Sequence, residues 1–250
     1  MMKRMWLQTL WCSMVLAGAA AILTPATAEA QITRVSSSSS EHRQAIGVTV
    51  GGFFVKPEDS RVNGDVLFAD LDSLLFNVKD FNGGTITGEW LVGISNYLEV
   101  GVGAGFYQRS VPSIYRSQVN VDGSEIEQAL KLRIVPVTAT VRFLPIGHGS
   151  VEPYVGVGIG AFNWRYSETG EFVDDRDNSI FRGNYVAKGT AIGPVVVAGI
   201  RAPFADAFDI GGEVRYQKAD GDTKPDTSQL LGDRIDLGGW NASLTFHVRF

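Results

Sequence analysis

Trp240-Asn-Ala-Ser-Leu-Thr-Phe-His-Val-Arg-Phe250 is the stretch whose reading decides the fold. Every second residue gives Trp240, Ala242, Leu244, Phe246, Val248 and Phe250 on one side, and Asn241, Ser243, Thr245, His247 and Arg249 on the other. Side chains alternate across a β-strand with a period of two. One face suits lipid and the other suits a polar, charged interior. A tilted strand of roughly 9–11 residues crosses a bilayer, and this segment is long enough.

The same alternation runs back to Ala45, with almost no helical periodicity. It predicts eight strands: Ala45–Val55, Thr85–Ile94, Leu98–Arg109, Glu127–Leu144, Val151–Tyr166, Asn184–Ala202, Phe208–Ala219 and Asp236–Phe250. The connections 56–84, 110–126, 167–183 and 220–235 are long, polar and acidic. Those at 95–97, 145–150 and 203–207 are short and turn-forming. Long and short alternate throughout, which places all long loops at one end. The expected fold class is therefore all-β: an eight-stranded antiparallel up-and-down transmembrane β-barrel, with short periplasmic turns, long extracellular loops and both termini in the periplasm.

The N-terminal region stands apart. Lys3 and Arg4 precede an apolar run from Met5 to Leu23, and A-x-A sites end at Ala28 and Ala30. Residues 1–30 read as a cleaved secretory signal peptide, the alternative being a retained membrane helix. Residues 31–44, with serines 36–40, read as a flexible lead-in to a barrel domain over 45–250. Cys12 is the single cysteine, so cleavage leaves no disulfide, thiolate nucleophile or Cys-based zinc site. Removing residues 1–30 takes Lys plus Arg from 22 to 20 and Asp plus Glu from 27 to 26, a net charge of −6. That acidity, without a basic run, argues against nucleic acid as a partner.

Phe250 with Leu244, Phe246 and Val248 at alternate positions resembles the C-terminal signal read by the barrel-assembly machinery of Gram-negative outer membranes. With the strand and loop pattern, residues 45–250 resemble the small eight-stranded outer-membrane barrels: the OmpA transmembrane domain, OmpX and OmpW. The resemblance is architectural. It implies residence in the bacterial outer membrane, contact with its lipids and lipopolysaccharide, and the assembly machinery as a partner during biogenesis. The OmpA type continues into a peptidoglycan-binding domain where this chain ends with its barrel, so a wall-tethering role is not expected.

The interior can be read from parity. Gly101, Gly103 and Gly105, then Gly156, Gly158 and Gly160, share a face opposite Val and Ile and should point inward. The GxGxxA match at Gly156–Ala161 lacks a surrounding βαβ unit and carries no cofactor reading. Expected inward acids are Glu89, Glu99, Glu152, Asp209 and Glu213; expected inward bases are Arg109, Lys131, Arg133, Arg142, Arg215 and Arg249. A bulge is expected at Pro136, because the apolar face switches there from Leu130, Leu132, Ile134 to Val137, Ala139, Val141, Phe143. Buried charges persist only when paired. Two arrangements follow: an ion-pair network that plugs the lumen, or charges around water-filled pockets. Neither makes a general porin, which needs about 16 strands.

Aromatics should mark the interfaces, with Phe143, Tyr154, Phe208, Phe246 and Phe250 near the periplasmic ends and Phe54, Phe106, Trp164, Tyr185, Tyr216 and Trp240 near the outer ends. The long loops hold 17 acids against 8 bases; they are either simply solvated or make cation-mediated contacts with lipopolysaccharide or an extracellular partner. Asp220-Gly-Asp222 and the 174–177 acidic run could supply oxygens to Ca²⁺ but lack EF-hand spacing. Leu67, Leu71, Leu74, Leu75 and Val78 recur at helical spacing, as a helix at the barrel mouth, one on the membrane surface, or an irregular packed loop. Ser243 and His247 share a face but stand about 13 Å apart along a strand, too far for a Ser–His nucleophile. No catalytic residue, cofactor or metal is expected, and the chain reads as a non-enzyme. Two roles stand: a surface protein working through its loops, or a narrow conduit for small or hydrophobic solutes. A lipid-modifying barrel enzyme is a minor third.

Overall fold

A computed structural model describes residues 44–250 apart from 175, 206 and 225–227. The signal peptide and all of the Ser-rich segment except Gln44 lie outside these residues. The barrel strands are β1 (Gln44–Val55), β3 (Gly83–Ser95), β4 (Leu98–Val119), β5 (Glu125–Phe143), β6 (Glu152–Val173), β7 (Ile180–Ala205), β8 (Phe208–Gln217) and β11 (Gly239–Arg249). Shorter pieces decorate one end: β2 (Leu74–Leu75), β9 (Asp220–Asp222), β10 (Arg234–Asp236) and the helix α1 (Val66–Asp70).

Each barrel strand pairs antiparallel with its neighbours in sequence order, and β1 pairs with β11 to close the ring. Closure reaches the chain end, where Phe250 N donates to Gln44 O at 2.9 Å. Among the described residues, closure leaves no free edge in the eight-stranded lower part, which removes the aggregation hazard of an open sheet there.

The strands differ in height. β4, β5, β6 and β7 have 22, 19, 22 and 26 residues, against 12 and 10 for β1 and β8. Four consecutive strands thus form a tall wall, and two of the expected long loops, 110–126 and 167–183, are largely strand. The wall has two storeys with opposite polarity. In the lower one Val137, Val141 and Phe143 face out while Thr138, Thr140 and Arg142 are buried inside. In the upper one Leu130, Leu132 and Ile134 are buried inside, and Lys131 faces out.

The expected bulge at Pro136 does not occur: Val135↔Asn163, Pro136↔Phe162 and Val137↔Ala161 pair in unbroken register. Pro136 lacks an N–H, and the β4–β5 ladder simply omits its rungs between Ala104↔Val137 and Tyr107↔Ile134. What inverts is the surroundings. The lower storey meets hydrocarbon outside and charge inside, whereas the upper storey meets water outside and encloses an apolar core.

The outer face of the lower storey is an exposed apolar band that includes Ile46, Val48, Val50, Val155, Val157, Ile159, Ile192, Leu244 and Phe246. A soluble monomer rarely exposes so large a continuous apolar belt. At the short-turn end Phe204, Phe208 and Phe246 stack within 5.8–6.3 Å of one another. At the other end Phe54, Trp240 and Tyr216 line up across β1, β11 and β8, with the Tyr216 and Trp240 rings 4.8 Å apart. Tyr154 and Trp164, expected in the girdles, are instead buried in the interior.

Candidate functional site

The lumen holds nearly all the chemistry, and it is layered. Nearest the short turns, Arg201 bridges Glu99 at 2.6 Å and Glu152 at 3.0 Å. Arg249 reaches Glu152 at 3.2 Å and pairs with Asp209. His148, in the turn between β5 and β6, lies 3.3 Å from Glu152, and that hydrogen bond raises its pKa above the usual histidine value.

A second layer sits at mid-barrel. Arg142 spans Glu89 at 2.5 Å and Glu213 at 3.0 Å. Arg215 holds Glu213 at 2.8 Å, and His247 Nε2 meets Glu89 at 2.8 Å. Tyr154 joins the layers: its hydroxyl donates to Glu213 at 3.0 Å, and its ring lies under Arg142 at 4.9 Å and Arg201 at 5.5 Å. Every guanidinium is shared by two carboxylates or by a carboxylate and a ring, so the charges interlock rather than form isolated pairs. In low dielectric that arrangement offsets a desolvation cost that isolated ions could not.

Small inward residues leave room for these long side chains. A Cβ on Gly156 would stand 3.0 Å from Arg142 Cγ, and one on Gly199 would stand 2.5 Å from the Tyr154 hydroxyl. Above the charges lies a chamber of about 20 Å³ lined by Thr49, Thr87, Arg215, Asn241 and Ser243, room for about one water molecule.

The third layer is an apolar plug. Val66, Leu67, Leu74, Val78 and Phe81 come from the β1–β3 loop, and Leu230, Ile235 and Leu237 from the β8–β11 loop. They pack on Phe53, Tyr107, Leu130, Leu132, Ile134, Phe162 and Trp164 of the wall. Asp65 caps α1 by accepting from Phe68 N at 3.2 Å and also accepts from Asp236 N at 2.7 Å, which clasps the two loops together. Lys56 pairs with Asp236 at 2.9 Å and Arg61 with Asp65. Of the three readings of the Leu-rich segment, the structure takes the mouth-capping one, as a helix of five residues followed by a strand pair with β4.

Among the described residues, the buried plug acid Asp70 forms no ion pair. Asp70 of α1 accepts from the Tyr166 hydroxyl at 2.8 Å and lies beside the buried Glu168 of β6. Burial pushes the Asp70 carboxyl up to about 7.

Of the expected lumen residues, Glu89, Glu99, Arg142, Glu152, Asp209, Glu213, Arg215 and Arg249 meet in the two charged layers. Arg109, Lys131 and Arg133 do not. Arg109 is exposed and its Nε donates to Asp80 O at 2.8 Å; Lys131 and Arg133 lie on the outer wall. All three belong to the upper storey, where the inward face is apolar. Arg201, His247, His148 and Tyr154 were missed. Arg201 shares parity with buried Val195 and Val197, and Tyr154 with Glu152, so strict counting along each strand locates them.

The acidic runs are engaged in turns. Asp174 and Asp177 accept from Arg176 N and Ser179 N, and Asp220 pairs with Arg234 at 2.9 Å. Asp175 lies outside the described residues. His247 pairs with Glu89 and not with Ser243.

The chain matches the family model described as the outer membrane protein beta-barrel domain over residues 14–247. No functionally curated protein matches it. Among solved structures it is similar to Neisserial surface protein A, at 10% identity and TM-score 0.48, over 85% of this chain and 100% of that one. It is also similar to OprG of Pseudomonas aeruginosa, at 13% and 0.46 over 82% and 95%. Ail of Yersinia pestis matches at 14% and 0.39 over 83% and 97%. A closed eight-stranded ring, an apolar outer belt and a family match over nearly the whole chain agree: this protein belongs to the outer membrane protein β-barrel domain family and resides in the bacterial outer membrane.

Proposed function

We propose that this protein is a closed, non-enzymatic barrel that presents a surface to the exterior and conducts no ions at rest. The observation that carries the reading is the double seal: interlocked ion pairs across the lower lumen, and an apolar plug across the mouth. Ions crossing it would have to pass both a fully desolvated charge network and an oily core, with a chamber for about one water between them.

The display surface is the tall wall. The β4–β5 hairpin carries Val121 fully in solvent and Val119 exposed near its tip, and the β6–β7 hairpin carries exposed Phe181. Exposed apolar side chains on rigid hairpins are suited to grip a partner at low entropic cost. A sideways exit for a hydrophobic solute would have to open on the short-strand side of the upper storey. That side is occupied by the two clasped loops.

Single-channel recording of the full chain, refolded into planar bilayers, tests the reading. Silent bilayers alongside a heat-dependent shift in gel mobility, which reports the folded barrel, are the expected result. A steady conductance from the folded protein would replace display with transport.

A further inference from the structure

We propose that the outer wall over β5–β7 is a binding site for the phosphates of the phosphorylated glycolipid in the outer leaflet. Arg133 of β5, Arg165 of β6 and Lys188 of β7 are paired across one rung, Arg133↔Arg165↔Lys188. All three face outward, with Lys131 two residues above Arg133 on the same face. Like charges directly opposite in a sheet destabilise it. Among the described residues none of the four makes an ion pair, and the Arg133 Nε is buried with no hydrogen-bond partner. A row of unpaired cations is retained here against its own repulsion, which calls for an anion.

The height of the row identifies the anion's source. Below Arg133 the outward residues of β5 are Val135, Val137, Ala139, Val141 and Phe143. The eight residue steps from Val135 to Phe143, at a tilt of roughly 40°, span about 20 Å of height, most of the hydrocarbon thickness. The neighbouring outward residues are Asn163 and Thr190, hydrogen-bonded at 3.3 Å, and then Ala161 and Ile192. The cations therefore stand one outward residue above the apolar belt on β5 and two above it on β6 and β7, where lipid phosphates lie. The rest of the circumference meets this interface differently, with Phe54, Trp240 and Tyr216 on β1, β11 and β8.

The row also has a shape. Lys131, Arg133 and Arg165 share a concavity of about 370 Å³ with Gln108, Ser167 and Asn184. Cations for charge and hydroxyl and amide groups for directed hydrogen bonds are the donor set that a phosphate monoester on a sugar requires. A soluble polyanion would find the same charges, but it would have no use for their position at the edge of the hydrocarbon.

The site is separate from the lumen, so it stands or falls independently of conductance. The test uses the full chain refolded into phosphatidylcholine vesicles doped with bis-phosphorylated lipid A, or with the same lipid A stripped of both phosphates. Thermal resistance of the heat-shifted gel band and lipid carried through purification are the readouts. The expected result is retention of bis-phosphorylated lipid A that falls at least tenfold in the quadruple variant Lys131→Gln, Arg133→Gln, Arg165→Gln, Lys188→Gln and weakens with salt. The Arg176→Gln, Arg182→Gln variant, on the β6–β7 hairpin, should retain the lipid as the parent does. Equal retention of the stripped lipid, or no loss in the quadruple variant, overturns the proposal. Heparin binding through these four residues without lipid A retention also overturns it, in favour of a soluble polyanion. Because the four side chains face outward, the variants should still show the folded gel band; the pairwise variant Arg133→Gln, Arg165→Gln serves if the quadruple one does not.

Discussion

At the scale of single residues, the lumen depends on where side chains are missing. Gly47 on β1 sits opposite His247 on β11, and a Cβ added there would fall 2.2 Å from the imidazole Cδ2. The ring is not free to swing away, because its Nε2 is held by Glu89, itself clamped by Arg142. Gly47→Ala should therefore cost about 1–3 kcal/mol through overpacking, read as an earlier loss of the heat-shifted gel band. His247→Ala in the same chain should restore most of it. A neutral Gly47→Ala would mean that Glu89 does not fix the ring. The glycine pattern and most of the charged residues were legible from parity alone, because alternation is strict wherever one face meets hydrocarbon. Parity cannot say which face is inside once the surroundings change. Lys131 and Arg133 reach the lumen only if Pro136 makes a bulge, and the register there is unbroken, so both keep outward parity; Arg109 keeps inward parity but stands in an upper storey that encloses apolar side chains, not charges.

At the scale of elements, α1 is held to the wall through a carboxyl that is costly to ionise. Asp70 is buried against Tyr166 and Glu168, and its carboxyl is raised from 3.8 to about 7. Its folded-state pKa is above the unfolded value, so the folded state binds more protons between these limits. The packing it supports is complete below about pH 4 and is lost progressively as pH rises through about 7. Hydrogen-exchange protection in residues 61–81, taken relative to the intrinsic base-catalysed rate at each pH, should accordingly be highest at acid pH and fall toward pH 8. Asp70→Asn keeps a neutral side chain at every pH. It should flatten that dependence and stabilise the plug at neutral pH by on the order of 1–3 kcal/mol; an unchanged pH profile would assign the titration to another group. The Leu spacing in this loop revealed an amphipathic segment, yet its helix is only five residues long. The remaining apolar side chains are carried by a two-residue strand and a 3₁₀ turn. Sequence periodicity registers which residues are buried, not which backbone carries them. The same limit hid the β4–β5 and β6–β7 extensions, where polar outward residues read as loop.

At the scale of the whole molecule, the two seals are of different physical kinds and should fail independently. The charged layers respond to loss of a partner: removing one member leaves an uncompensated buried charge at a cost of about 3–5 kcal/mol. The plug responds to loss of volume, with large apolar side chains cut to Ala costing about 2–5 kcal/mol each. Either one alone should keep an eight-stranded lumen closed. Replacing Glu89, Arg142, Glu213 and Arg215 together by Ala removes two acids and two bases, so the mid-barrel layer loses its ion pairs with no change in net charge. Replacing residues 62–80 by a Gly-Ser linker removes the first loop's share of the plug. Each change alone should leave planar bilayers silent, whereas the two combined should produce an ion leak in a barrel that still shows the folded gel band. A leak from the mid-barrel replacement alone would reduce the plug to a loose cover and make the ion pairs the gate. A leak from the loop replacement alone would assign closure to the mouth, and the interlocked charges would then serve to hold the strands in register around a wet core.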